Sequence, residues 1–353
     1  MKEFWSKRIR EMTPYVPGEQ PRDRIFIKLN TNECPYPPSP RALEAIRAAA
    51  GDGLRLYPDP ECLELRQTIA RRYRVSQNQV FVGNGSDEIL AFAFQAFFDP
   101  EREIVFPRVS YSFYPVYAQY FGLNCRRVEM NPDFSVTVDA LCGDNGGVVL
   151  ANPNAPTGMA LTLDEVERLV QSNPQAVVIV DEAYVDFGAD SAVPLIQSYP
   201  NLLVVQTASK SRALAGLRVG WAMGNSNLIN ALRCVRDCFN SYTVDRVAAA
   251  GLKAAMEDEG YFQSIRGRVM AARDKTARRL SDLGFTVLPS RANFLFVTYP
   301  GLSGAALQDG LREKGILVRR WDDPVIADWL RITVGTDQEM DVLLRALSEL
   351  TGA

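Results

Sequence analysis

From residue 79 onward, short apolar runs alternate along the chain with stretches whose apolar residues recur at helical spacing. Two of these runs contain uninterrupted apolar stretches, AVVIV (176–180) and LLVV (202–205), which is typical of parallel strands covered on both faces. This alternation predicts an α/β fold in which helices cover a mostly parallel sheet. The runs are QVFVG (79–83), EIVFP (103–107), GGVVLANP (146–153), AVVIVDEAY (176–184) and NLLVVQTASK (201–210).

The pattern changes after Asn225, where a helical region runs to Leu283 with predicted breaks near Gly251 and Gly260. The runs FTVLP, ANFLFVTYP, GILVRR and LRITVG follow, with helices predicted at 303–314 and 336–350. This pattern predicts a smaller α+β domain. The predicted division is a Pro-rich arm at 1–40 that contributes to the small domain and a dimer, a large domain at 41–240, and a small domain at 241–353.

Composition excludes several partners and chemistries. The 353 residues carry 39 Lys+Arg and 42 Asp+Glu, a net charge of −3, so neither nucleic acid nor a membrane is an expected partner. The N-terminus lacks a signal-peptide core, and six scattered cysteines predict reduced thiols in a cytoplasmic protein. Histidine is absent, which excludes His-based triads and His-dependent metal sites, and no metal site is predicted.

Groups that can bind a ligand follow each predicted strand at its carboxyl end, where open parallel sheets bind ligands. The glycine turn GNGSDE (83–88) leads into a helix N-terminus, whose free amides bind anions such as phosphate. The aromatic stretch SYSFY (110–114) and a Pro-rich turn with Asn154 follow the next two runs. The last two runs are followed by Asp181 and Tyr184, and by Thr207, Ser209 and Lys210.

Pyridoxal phosphate requires such a set, because it presents an aldehyde, a ring nitrogen, a phenolic oxygen, a flat ring and a phosphate. Lys210 would bind the aldehyde covalently and then move the substrate Cα proton. Asp181, at about 4 Å and an effective dielectric of about 20, would favour the protonated ring by about 4 kcal/mol, or roughly three pKa units. Arg218 would neutralise the phosphate. The other predicted cofactor-binding residues at these strand ends are Gly85, Ser86, Asp87, Thr207 and Ser209.

Each of these motifs and residues has a simpler interpretation when it is considered alone. GNGSDE can be an ordinary β–α turn, Asp181 a helix cap and Lys210 a solvated surface residue, but their order at successive strand ends favours a shared site. A dinucleotide-dependent oxidoreductase is a second hypothesis, although Glu88 stands where its fingerprint needs a third glycine. A non-enzymatic pyridoxal-phosphate regulator is a third, without an evident DNA-binding domain or basic surface.

Stretches along nearly the whole chain resemble the fold type I aminotransferases of the pyridoxal-phosphate class, and within that class the histidinol-phosphate aminotransferase family. The sequence departs from the family pattern at Cys34, in the NENP signature, and at Ala155, in NNPTG. The resembling stretches are PYVPGEQP (14–21), IKLNTNECPYPPSP (27–40), LRLYPDP (54–60), GNGSDE (83–88), NPNAPTG (152–158), VDEAYVDF (180–187), TASKSRALAGLRVGW (207–221), ANFLFV (292–297) and LRITVG (330–335).

The resemblance implies a fold type I transferase: a large cofactor-binding domain with a mostly parallel sheet, and a smaller α+β domain. It implies a homodimer with shared active sites, whose small-molecule partners are an amino donor and a 2-oxo acid. The implied reaction converts histidinol phosphate and 2-oxoglutarate reversibly to imidazole acetol-phosphate and glutamate, a step of histidine biosynthesis. An aromatic amino-acid transaminase and a threonine-phosphate decarboxylase of the same fold stay open as alternatives.

The resemblance also implies roles for individual side chains. Two guanidiniums suit a substrate phosphate dianion, although Arg319 can also be explained as a surface or interface salt bridge. For the cofactor, the implied roles are ring stacking by Tyr111, hydrogen bonds to the phenolic oxygen from Asn154 and Tyr184, and a contact of Tyr57 with the cofactor phosphate of the neighbouring subunit. For the substrate, Arg331 and Arg319 would bind the phosphate, and Tyr15 and LNTNE (29–33) would line the side-chain end.

Overall fold

The computed structural model describes residues 3–22 and 24–352. Their strands are β1 (Ile27–Lys28), β2 (Val80–Gly83), β3 (Ile104–Pro107), β4 (Cys125–Val128), β5 (Gly147–Ala151), β6 (Val177–Asp181), β7 (Leu202–Thr207), β8 (Gly220–Gly224), β9 (Thr286–Val287), β10 (Phe294–Thr298), β11 (Ile316–Leu317) and β12 (Leu330–Thr333). Their helices are α1 (Lys7–Glu11), α2 (Pro40–Ala49), α3 (Leu63–Tyr73), α4 (Gly85–Phe97), α5 (Tyr114–Phe121), α6 (Leu163–Gln171), α7 (Ser226–Phe239), α8 (Arg246–Glu257), α9 (Glu259–Asp282), α10 (Gly304–Glu313) and α11 (Asp337–Thr351).

The largest sheet of the described residues has seven strands in the order β2-β8-β7-β6-β5-β3-β4. Its neighbouring strands are parallel except at β8, which is antiparallel to both β2 and β7. The predicted α/β fold with a mostly parallel sheet is therefore confirmed. Strand β8 was missed, because its sequence GWAMG is short and bounded by glycines, which weaken the strand pattern.

Successive side chains of the central strands fill two separate apolar layers. On β6, Val178 and Val180 pack into the layer that contains residues of α3, α6 and α8, whereas Ile179 packs into the layer that contains residues of α4, α5 and α7. Burial of each such side chain contributes about 1.5–3 kcal/mol to stability. A sheet covered on both faces leaves its strand ends as the accessible edge, which is where the polar residues lie.

The helical region after Asn225 differs from the prediction. Helix α8 continues through Gly251, so the predicted break there is wrong. A Cβ atom at Gly251 would lie 2.7 Å from Leu217 Cδ1 and 2.8 Å from Ile46 Cγ1, so this glycine allows close packing between α8 and its neighbours. The break predicted near Gly260 is confirmed at Asp258, whose side chain caps α9, with Gly260 in the first turn of that helix. A further interruption, which was not predicted, lies at 240–245.

A second, three-stranded sheet has the antiparallel order β12-β10-β9 and packs with α10 and α11 around its own apolar cluster. Strand β11 does not join it, but pairs in parallel with β1 of the N-terminal segment. Helix α8, in contrast, buries Ala248, Leu252 and Met256 in a core layer of the large sheet. This packing favours a boundary after α8 rather than at residue 240, and the division into domains stays a prediction. Among the described residues, no helix is long and apolar enough to cross a membrane.

Candidate active site

A cavity of about 290 Å³ lies at the carboxyl ends of the parallel strands. The sheet, the N-terminal arm and the small three-stranded unit all contribute to its wall. A larger groove of about 700 Å³, between α2, α3 and α8, contains none of the predicted site residues. The predicted residues that line the smaller cavity are Tyr15, Asn30, Thr31, Asn32, Glu33, Ser86, Asp87, Tyr111, Asp181, Tyr184, Thr207, Ser209, Lys210, Arg218, Arg319 and Arg331. Of the predicted LNTNE stretch, Leu29 lies instead in an apolar cluster of the small three-stranded sheet.

Lys210 follows β7 and turns its amine into the cavity. Its Nζ donates a hydrogen bond to the backbone oxygen of Thr31, 3.1 Å away, and lies 5.9 Å from the centre of the Tyr184 ring. Burial lowers the pKa of the Lys210 amine to about 8, because the charged form loses its hydration. A substantial neutral fraction is therefore present near physiological pH, as a nucleophile or a base requires.

Asp181 is the last residue of β6, and its side chain is buried. One carboxylate oxygen accepts the amide N–H of Ala183 at 3.2 Å, and the other accepts the Tyr114 hydroxyl at 3.0 Å. Burial raises the pKa of Asp181 to about 6 in spite of these donors. Tyr184 lies nearby and accepts a hydrogen bond from Asn32 Nδ2 at 2.9 Å. The strand end thus presents a buried anion whose negative charge favours a cationic ligand group.

An anion cradle forms where α4 begins. Gly85 has a φ of +79°, and a Cβ atom there would lie 2.6 Å from Arg218 Nη2, so a side chain would displace the guanidinium. Arg218 donates to Asp87 Oδ2 at 3.2 Å and to Ser209 Oγ at 3.4 Å. The Thr207 hydroxyl, in turn, donates to Ser209 Oγ at 3.0 Å. A guanidinium, hydroxyls and a helix N-terminus therefore converge as they do in phosphate sites.

The arm and the small unit supply two arginines on the other side of the cavity. Arg331 is half-buried and donates to the backbone oxygen of Asn30 at 2.9 Å, and loss of hydration lowers its pKa. Arg319 donates to the backbone oxygens of Val16 at 2.7 Å and Pro17 at 3.2 Å. The guanidiniums of Arg319 and Arg331 thus bind neutral backbone carbonyls rather than carboxylates. These contacts do not support the interpretation of Arg319 as part of a salt bridge. Neither guanidinium forms an ion pair with a carboxylate among the described residues, so both are available to an anionic ligand.

Three predicted residues do not line the cavity. Gly85 lies behind the Arg218 guanidinium. The Asn154 amide donates to the Val109 backbone oxygen and to Thr157 Oγ1, both at 3.0 Å, while its buried Oδ1 has no partner among the described residues. Tyr57 is 79% exposed and stacks on Tyr242, with ring centres 4.5 Å apart, so it lies outside the cavity of its own chain.

Sequence reasoning missed two side chains that contact this site. Tyr114 holds Asp181, and its sequence signal, one aromatic residue among several in SYSFYP, did not distinguish it from core. Trp321 faces both arginines, with Arg331 Cζ 5.2 Å and Arg319 Cζ 5.5 Å from the ring centre. Among the described residues, no group of three or more Cys, Asp or Glu side chains is placed to hold a metal ion.

Comparison with known proteins places the chain among relatives of similar length. The sequence model described as "Aminotransferase class I and II" matches residues 24–347. The histidinol-phosphate aminotransferase of Acetobacter pasteurianus is 55% identical over 350 residues, covering 99% of this chain and 98% of that protein. Its counterpart from Chromohalobacter salexigens is 52% identical over 347 residues, with 98% and 99% covered. The solved histidinol-phosphate aminotransferase from Sinorhizobium meliloti, in complex with pyridoxal-5'-phosphate, has a TM-score of 0.90 at 27% identity, with 99% and 98% covered.

Proposed function

Because the chain belongs to the class I and II aminotransferase family, we propose that it is a pyridoxal-phosphate-dependent histidinol-phosphate aminotransferase of histidine biosynthesis. It would transfer the amino group of histidinol phosphate to 2-oxoglutarate, giving imidazole acetol-phosphate and glutamate. The observation that carries the proposal is one cavity lined by a half-buried lysine, a buried carboxylate and three arginines. The relatives at 52–55% identity bear the same name, so the aromatic transaminase and the decarboxylase are not favoured.

The residues of the cavity fit pyridoxal phosphate. Asp181 would pair with its ring nitrogen, and the cradle of Arg218 and Ser209 would hold its phosphate. At Gly85 a Cβ atom would lie 2.6 Å from Arg218 Nη2, so the cradle has room for a phosphate beside the helix N-terminus only because this residue has no side chain. When bound, pyridoxal phosphate supplies an aldehyde for covalent attachment and an electron-poor ring that accepts an electron pair.

Lys210 would have two roles in this reaction. Its neutral amine would attach to the cofactor aldehyde, and after the substrate amine replaces it, the same amine would move a proton at the substrate Cα. The desolvation that lowers the pKa of Lys210 supplies the neutral base near pH 8. Tyr184 lies next to Lys210 and stays protonated, because burial raises the pKa of its phenol. It would act as a hydrogen-bond donor to the cofactor rather than as a base.

The arginines of the arm side would select the substrate. A phosphate monoester carries up to two negative charges, and Arg319 and Arg331 together can offer it two planar guanidiniums. The carboxylate of 2-oxoglutarate would use the same pair in the second half-reaction. Tyr15, which stacks on Phe113 with ring centres 4.3 Å apart, would line the end that receives the imidazole ring. This arrangement favours a phosphorylated amine over a neutral aromatic one.

The proposal includes a homodimer in the cytoplasm, with Tyr57 acting in the partner's site. The exposed Tyr57 ring is flanked by Leu54 and Leu56, which are 56% and 54% exposed, as expected of a surface that a second copy covers. In a mixed dimer of Lys210→Ala and Tyr57→Ala chains, one site would be intact, and up to about half of the wild-type activity would return. If Tyr57 served the site of its own chain, the mixture would stay as inactive as its parents.

The direct test combines a cofactor assay with a substrate panel. The purified protein should absorb visible light through a cofactor bond that borohydride reduces, and mass spectrometry should locate the reduced adduct on Lys210. With 2-oxoglutarate, kcat/KM for histidinol phosphate should exceed that for phenylalanine. A protein that binds no pyridoxal phosphate would refute the cofactor assignment, whereas a preference for phenylalanine would refute only the substrate.

A further inference from the structure

Tyr114 is a buried phenol whose hydroxyl contacts the carboxylate of the site. Its ring, the first residue of α5, has no solvent exposure and packs edge-on against Phe106 and Tyr111, with ring centres 5.9 and 5.6 Å away. Its hydroxyl donates to Asp181 Oδ2 at 3.0 Å. Because packing fixes the ring on several sides, the hydroxyl is held in place before any ligand binds.

The two oxygens of Asp181 are held by different donors. Oδ1 accepts the Ala183 amide from the strand end, and Oδ2 accepts the Tyr114 hydroxyl from the helix that follows β3. This fixes the plane of the carboxylate. An ionised carboxylate has about four acceptor positions, so each oxygen keeps one for a further donor. The free positions can receive the N–H of a protonated ring without rearrangement of the protein.

Some of the groups around Asp181 raise its pKa and others lower it. Burial and the nearby Asp87 carboxylate raise the pKa of Asp181, while the Tyr114 hydroxyl, the Ala183 amide and the Lys210 amine lower it. The phenols of Tyr117 and Tyr184 also lie within electrostatic range. Burial raises the pKa of Tyr114 itself well above its usual value, so its hydroxyl remains a donor at every physiological pH.

We propose, on the basis of the cofactor assignment above, that Tyr114 is a positioning residue that orients Asp181 and keeps it ionised at neutral pH. Without the phenol, the buried carboxylate would retain, among the described residues, only the Ala183 amide as a donor. A hydrogen bond to a charged group is equivalent to about one to two pKa units. Asp181 would then take up a proton near neutral pH and would no longer favour the protonated ring.

Tyr117 provides a matched control. It lies one turn later on α5, is also buried, and donates its hydroxyl to the backbone oxygen of Asp87 at 2.9 Å rather than to Asp181. Tyr117→Phe therefore removes a phenolic oxygen of a second buried tyrosine from the same helix. A general effect of a lost buried hydroxyl would be the same in both variants, whereas an effect through Asp181 requires Tyr114.

The test measures the dissociation constant of pyridoxal phosphate for cofactor-depleted protein between about pH 5 and 9. Wild type should lose affinity as Asp181 is protonated below about pH 6. In Tyr114→Phe, the midpoint of this loss should move up by about one to two pH units, and the dissociation constant at pH 7 should rise about two- to tenfold. Tyr117→Phe should keep the wild-type midpoint.

A second variant changes the donor without removing it. Replacement of Tyr114 by 3-fluorotyrosine makes the hydroxyl a stronger donor in the same packing, so the midpoint should move below the wild-type value. An unchanged midpoint in both Tyr114 variants, or an equal shift in Tyr117→Phe, would overturn the inference. If wild type does not bind pyridoxal phosphate at any pH, the proposed function fails instead.

Discussion

The two sides of the cavity are built differently. On the sheet side, Asp181 and Ser209 are buried, and they lie at or just beyond the ends of strands whose register the core fixes. On the arm side, Arg319 and Arg331 are held by backbone oxygens of the N-terminal segment that are 303 and 301 residues away in sequence. The sheet side is therefore formed by the fold itself, whereas the arm side depends on how one long-range segment is seated. We infer that chemistry resides on the first side and substrate selection on the second.

The largest effect is expected on the sheet side. Lys210→Ala removes both the covalent attachment and the base, so kcat for histidinol phosphate should fall at least about 10⁴-fold. The melting temperature of the cofactor-free protein should change little. Lys314→Ala, which removes a solvent-accessible lysine of the small unit, should leave kcat unchanged. If Lys210→Ala kept more than a few per cent of the wild-type kcat, a residue other than Lys210 would have to act as the base.

The sheet side should also show a conflict between function and stability. The raised pKa of Asp181, about 6 instead of 3.8, means that the folded chain binds this proton more tightly than the unfolded chain. The ionised carboxylate therefore destabilises the cofactor-free fold fully above about pH 6, and this cost disappears as pH falls below about 4.

Asp181→Asn should therefore stabilise the cofactor-free protein at pH 7 by about 1–3 kcal/mol in urea unfolding, and weaken binding of pyridoxal phosphate. At pH 4 the gain should shrink. A destabilised variant at pH 7 would mean that the donors of the carboxylate outweigh its burial.

Substitutions on the arm side should change kcat/KM by different amounts for different substrates. Arg319→Ala removes one of two guanidiniums, so kcat/KM for histidinol phosphate should fall roughly 10- to 100-fold, while that for phenylalanine should change much less. Arg319→Lys keeps the charge but not the planar guanidinium, so its kcat/KM for histidinol phosphate should lie between those of wild type and Arg319→Ala. Equal losses of kcat/KM for both substrates would mean that Arg319 supports the structure of the site rather than selects the substrate.

The smallest effect concerns the loop that carries the arm-side groups. Asp323, two residues after Trp321, forms a two-point ion pair with Arg108 at the end of β3, at 2.7 and 3.2 Å. A partly exposed pair of this kind contributes about 1 kcal/mol or less. Asp323→Asn should raise KM for histidinol phosphate a few-fold without changing kcat. A change in kcat alone would indicate that the pair acts on the sheet side.

The sequence predicted the sheet side well, because strand ends are readable from local patterns. An apolar run followed by Asp181 or by Lys210 locates each residue at the same edge, whatever the rest of the chain does. The α/β fold was predicted for the same reason. The roles of the individual residues stay predictions until the variants are measured.

What the sequence could not predict depends on packing between distant segments. Tyr114 contacts Asp181 only because α5 turns that face toward the sheet, and SYSFYP offers several aromatic residues of equal appearance. Gly251 is indistinguishable in sequence from a helix break, and only the proximity of Leu217 and Ile46 shows why a glycine stands there. The contacts of the arginines with the arm required the tertiary structure for the same reason.

The antiparallel strand β8 has one more consequence. The chain leaves β7 at Thr207 and re-enters the sheet opposite it at Gly220, and Ala208 donates its amide to the Val219 oxygen at the base of the excursion. Lys210 and Arg218 therefore sit on a single closed loop whose two stems are paired. Anyone who re-engineers this protein for bulkier amines should leave that loop at its native length, because an insertion would change the spacing between the two residues proposed above to hold opposite ends of the cofactor.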